Sequence, residues 1–167
     1  MTTLFQARPD RGRIIGTLIA LASVILPALP LGPLFAQPPL PLAVMWAAYG
    51  WASDQSPGWG APAGLAAMGL LHDQLAGGPY GLFAAIYLAT FLIGRFMANV
   101  ASAPTLFAAW GGFIATSIGV TVIAAVLAPI ALGARAQVWT FAEAAAITAI
   151  LFPLVRKLYM DPALGSR

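Results

Sequence analysis

His72 and Asp73 stand side by side in "GLLHDQLAGGPYG", residues 69–81, and His72 is the chain's only histidine. A neighbouring imidazole and carboxylate invite an acid–base mechanism. Helical geometry argues against it, because consecutive residues on a helix point about 100° apart and do not face each other. No serine nucleophile stands nearby, and no second carboxylate follows three or four residues on. His72 therefore reads as a polar residue at a membrane interface rather than half of a catalytic dyad. Asp73 reads differently, because Gly77 and Gly78 permit positive φ, Pro79 fixes φ and Gly81 allows close backbone approach. That run predicts a helix end, a tight turn and a new helix start. A carboxylate there can accept backbone N–H bonds and hold a half-buried turn, or serve a partner or a proton.

Glu143 is the second acidic residue of interest, with Thr140 a turn before it and Thr148 beyond. A carboxylate inside a membrane span is a functional candidate by default. It can pair with Arg135, meet a polar group on another helix, or snorkel outward. The remaining chemistry is sparse. There is no cysteine, so no disulfide and no thiolate metal site, and one histidine leaves little for zinc. P-loop, GxSxG, HExxH and dinucleotide signatures are absent from the sequence. The expectation is a non-catalytic protein with no cofactor and no metal.

The elements that position these residues follow from composition. Of the 167 residues, 60% are hydrophobic and 8% charged, with a mean hydropathy of +0.87. A soluble domain carries about 25% charged residues. One small globule cannot hide this much apolar surface, so a bilayer must cover most of it. The net charge of +3 includes no basic cluster interleaved with aromatics, which speaks against nucleic acid as a partner.

Six spanning helices are expected, over residues 14–31, 40–51, 59–71, 80–97, 104–132 and 138–155. They divide the chain into a basic N-terminus (1–13), one six-helix transmembrane domain (14–156) and a C-terminal tail (157–167). The first apolar run is longer than a signal-peptide core and reads as an uncleaved helix. Cytoplasmic termini place Arg8, Arg11, Arg13, Arg95, Arg156, Lys157 and Arg167 inside and leave only Arg135 outside, as the positive-inside rule asks. Merging helices 2 and 3 would instead strand Asp54 in the membrane. Trp51, Trp59 and Trp139 fall at interface positions, whereas Trp46 and Trp110 lie deeper.

Small residues recur at helical spacing. Gly60 and Gly64 form a GxxxG step, with Ala63 and Ala67 beside it, and Ala108, Gly112 and Thr116 make a stripe on helix 5. Such faces let helix backbones approach closely. They suit packing within the bundle or docking to another membrane protein.

"PLAVMWAAYGW" (residues 41–51) followed by "GLLHDQLAGGPYGLFAA" (residues 69–85) resembles the rod shape-determining protein MreD family. The family pattern of G-L, a gap, D, a small-residue pair, P and G-L falls on Gly69, Leu70, Asp73, Gly77, Gly78, Pro79, Gly81 and Leu82. The resemblance is specific over residues 40–95 and rests on hydropathy and length elsewhere; Tyr80 departs from the family's usual aliphatic residue. It implies an all-α, six-helix bundle similar in architecture to the substrate-binding components of energy-coupling-factor transporters. It also implies an inner-membrane role in bacterial cell elongation and peptidoglycan synthesis. The partners implied are the bitopic protein MreC and, through it, the cell-wall synthase and MreB filaments. The Asp73 turn and the GxxxG face of helix 3 are then candidate contacts. The alternative is a small-molecule-binding transporter component, for which Glu143, Thr116, Ser117, Thr121 and Thr148 are the polar groups within helices.

Overall fold

The computed structural model describes residues 11–28, 42–54, 58–77, 79–100, 105–132 and 138–160. Among them it is all-helical: α1 (Arg11–Ile25), α2 (Ala43–Ala52), α3 (Gly60–Ala76), α4 (Leu82–Val100), α5 (Leu106–Leu132) and α6 (Val138–Met160). A short 3-10 turn, Leu26–Ala28, follows α1. It contains Pro27, which cannot donate to an α-helical ladder. α3 runs past its expected end at residue 71. Gln74, Leu75 and Ala76 continue the helix, and Gly77 stops it in the left-handed conformation at φ 64°. His72 and Asp73 are thus helical residues in the last turns of α3.

α2 sits at the centre. The other five helices pack around it in a closed ring, with α1 against α3, α3 against α4, α4 against α5, α5 against α6 and α6 against α1. Every residue of α2 except Trp51 is buried. The run "AVMWAAYGWA" is apolar on all sides, and its alanines and glycine let neighbouring helices close around it.

Three helices, Leu82–Val100, Leu106–Ala131 and Val138–Arg156, are long and apolar enough to cross a bilayer. They mark the chain as a helical membrane protein. Their outward surfaces agree: Ile118, Val122, Val126 and Ile130 are all exposed and recur every fourth residue along α5. Such a stripe is costly against water and costs nothing against lipid tails.

Aromatic side chains lock the ring to its centre. Tyr49 of α2 meets Phe113 of α5 and Phe152 of α6 edge-on, with centroids 5.3 and 5.6 Å away. Those two phenylalanines stack on each other at 4.3 Å. Gly94 and Gly112 leave the space that Tyr49 occupies, since a Cβ at Gly94 would lie 2.8 Å from the Tyr49 ring and one at Gly112 would strike its hydroxyl. That hydroxyl donates to the Ala109 carbonyl at 3.2 Å. Gly112, expected on a packing face, therefore packs against a side chain rather than a helix backbone.

Two indoles and a helix-start N–H are paired across the bundle. The Trp46 indole N–H donates to the Thr148 carbonyl at 2.8 Å, and the Leu42 N–H donates to the Thr148 hydroxyl at 2.8 Å. Trp110 donates to the Ala149 carbonyl at 2.9 Å. The residue four positions after Ala149 is Pro153, inside α6, so that carbonyl has no helical N–H to accept.

Candidate functional site

The junction between α3 and α4 is built from one stripe on α3. Leu65, Gly69 and Asp73 are its buried residues, spaced one turn apart. Gly69 comes first in the logic. A Cβ there would lie 2.8 Å from the Phe83 carbonyl carbon and closer still to the backbone of Ala84. Only glycine lets the first turn of α4 approach this near.

That approach brings the α4 N-terminus within reach of the next turn of α3. Asp73, 1% exposed, accepts the Gly81 N–H on Oδ2 at 2.7 Å and the Phe83 N–H on Oδ1 at 2.8 Å. The first N–H groups of a helix have no intrahelical acceptor. A carboxylate from the preceding helix supplies two, and its charge complements the positive end of the α4 dipole. Gly77 at φ 64° and Gly81 at φ 95° are the described residues with positive φ. They reverse the chain between the helices, and Pro79 lies between them. Gly78 lies outside the described residues.

His72 engages the same helix, α4, through its ring. Its ring stacks on Phe83 with centroids 3.8 Å apart and planes 12° from parallel. Its Nδ1 shares a 2.6 Å hydrogen bond with the hydroxyl of Tyr87, a fully buried residue. His72 is thus half-buried and anchored to α4. Phe83 and Tyr87 are four residues apart and so share a face of α4.

The structure gathers Gly69, Asp73, Pro79 and Gly81 into one device and leaves the other candidates apart. Among the described residues nothing lies within 4 Å of a Cβ added at Gly60, and one at Gly64 would make only ordinary contact with Trp51 at 3.8 Å. The GxxxG step of α3 is thus not a close helix crossing within the bundle; that role falls to Gly69. Glu143 is exposed on the outward side of α6. Its expected neighbour Arg135 lies outside the described residues. Arg95 donates to the Asp54 carbonyl at 3.4 Å and ties the end of α4 to the turn after α2.

Chemically, the Asp73 arrangement is a clamp. Both carboxylate oxygens are committed to backbone N–H groups. Among the described residues, no three His, Asp or Glu side chains come together as a metal site requires. No family model matches the chain, and neither a curated protein nor a solved structure does.

Proposed function

We propose that this chain is a six-span, non-catalytic component of the bacterial inner membrane, of the MreD kind. It would bind an MreC-like bitopic protein and support peptidoglycan synthesis along the lateral wall. The observation that carries the reading is the Asp73 clamp. Five of the described residues of the resembling motif have a physical task in it. Gly69 admits α4, Asp73 caps it, Gly77 and Gly81 reverse the chain, and Pro79 stiffens the turn. A motif whose spacing is explained by one rigid turn fits a scaffold, which needs a fixed surface rather than a reactive group.

The topology proposed with it has both termini in the cytoplasm. Trp59 and Tyr80 bracket α3 and are 91% and 73% exposed. α3 spans about 25 Å at 1.5 Å per residue, near the thickness of a bilayer's hydrocarbon core. Exposed aromatics at both ends of such a helix suit the two interfaces. α2 reaches only about 15 Å, and residues 40 and 41 of the expected second span lie outside the described set.

Co-purification tests the reading. The full chain, tagged and extracted from its native host's membranes, should bring down a single-pass MreC-like protein at comparable amount. Recovery of the chain with no such protein, in detergent and in nanodiscs alike, overturns it.

A further inference from the structure

Thr90, Thr116, Thr121 and Thr148 each donate their hydroxyl to the carbonyl four residues earlier. Ser117 does not. Among the described residues, its Oγ is the one buried side-chain oxygen or nitrogen with no hydrogen-bond partner. Ser117 is 5% exposed, and it lines a groove of about 440 Å³ between α5 and α6. The small residues Ala142, Ala145, Ala146 and Ala149 form the α6 side of that groove. Ile118, Val122 and Ile150 at its edges are exposed, so it opens to the outside of the bundle.

Glu143 does not line the groove, but it follows Ala142, which does. Glu143 is exposed together with Ala146 and Ile150, and residues three and four apart on a helix share a face. It lies within the apolar span Val138–Arg156. An unpaired hydroxyl on the floor and a carboxylate one residue from the lining thus accompany a cradle of small residues.

We propose that this groove seats the single membrane-spanning helix of a partner protein. That helix presents a hydrogen-bonding group to Ser117 and a lysine or arginine at the depth of Glu143. Small residues let a second backbone come close, and polar side chains then bond across the pair. An acyl chain fits the apolar walls but offers nothing to Ser117 and no charge to Glu143, whose burial in lipid is costly. A second copy of this chain is disfavoured by charge. Parallel copies in one membrane set like depth against like depth, and Glu143 would meet Glu143. The cations of the described helices do not stand at this position: Arg11 and Arg13 open α1, Arg95 is near the end of α4, and Arg156 and Lys157 lie about 20 Å further along α6. The inference rests on the preceding reading for the existence of a single-span partner; the groove's chemistry is independent of it.

Photo-crosslinking in native membranes tests it. The full chain carries p-benzoylphenylalanine in place of Ala146 or Val122, with position 92, exposed on α4, as control. The co-expressed MreC-like protein is the probe. Adducts should form from positions 146 and 122 with the transmembrane peptide of a single-span protein, and not from 92. Glu143→Lys should lower the yield about ten-fold, roughly the effect of one lost interhelical polar contact. Changing the partner's lysine or arginine to glutamate should restore it. Glu143→Gln serves as the milder variant where Glu143→Lys fails to elute as a single species. Adducts with a second copy, with lipid alone, or unchanged by both Glu143 variants overturn the inference. An MreC-like protein that crosslinks only from position 92 overturns the inference and leaves the functional reading standing. A groove adduct with a different cationic single-span protein does the reverse.

Discussion

The indole N–H of Trp110 lies 2.9 Å from the carbonyl of Ala149, the group that Pro153 deprives of its helical donor. In lipid an unsatisfied backbone carbonyl costs several kcal/mol. A side chain from α5 thus completes the ladder of α6, and the two helices are joined at a defined register.

Trp110→Phe should therefore destabilise the bundle by about 1 kcal/mol, the scale of an interhelical hydrogen bond in membranes. The cost should shrink when Pro153→Ala is present, because residue 153 then donates its own N–H to Ala149. Reversible unfolding in mixed micelles of the four members of this double-mutant cycle measures the difference. Equal costs in both backgrounds would show that Trp110 acts through packing alone.

Asp73→Asn keeps the shape and removes one acceptor, turning an amide NH2 toward a backbone N–H. Loss of a capping contact and its charge should cost about 1–3 kcal/mol. Asp73→Glu should not rescue it, since the longer side chain no longer matches two N–H groups 2.7 and 2.8 Å away. Limited proteolysis across residues 77–81, with unfolding midpoints, reads the effect.

The glycines separate cleanly. Gly69→Ala sets a Cβ against the backbone of Phe83 and Ala84 and should cost about 1–3 kcal/mol by overpacking. Gly60→Ala meets no atom of the described residues within 4 Å and should stay within about 0.5 kcal/mol of wild type. Gly112→Ala strikes the Tyr49 hydroxyl, and its cost should fall when Tyr49→Phe removes that oxygen. Thermal midpoints in detergent compare all three.

Much of this was readable beforehand. Helix count and class follow from apolar runs broken by proline and glycine. The turn after Asp73 follows from Gly77, Pro79 and Gly81. Spacing alone misjudged where helices touch closely. Gly60 and Gly64 have the familiar pattern, but whether a glycine is filled depends on what lies opposite, and α4 begins beside Gly69. The pairings of Trp110 with Ala149 and of His72 with Tyr87 span 39 and 15 residues. They are tertiary, and local periodicity does not carry them.

The absence of native cysteine makes the topology directly testable. Single cysteines replacing Tyr80 or Trp139 should react with a membrane-impermeant maleimide in intact spheroplasts. One replacing Trp59 should react only after permeabilisation. Labelling of all three from outside would contradict six spans with cytoplasmic termini.

Conditional depletion in the native host tests the central claim most directly. As the protein is depleted, rod-shaped cells should widen and round while new peptidoglycan ceases to be laid along the side wall. Re-expression of the wild-type chain should restore the rods. Cells that keep their width and their lateral wall synthesis after the protein is gone would contradict the account.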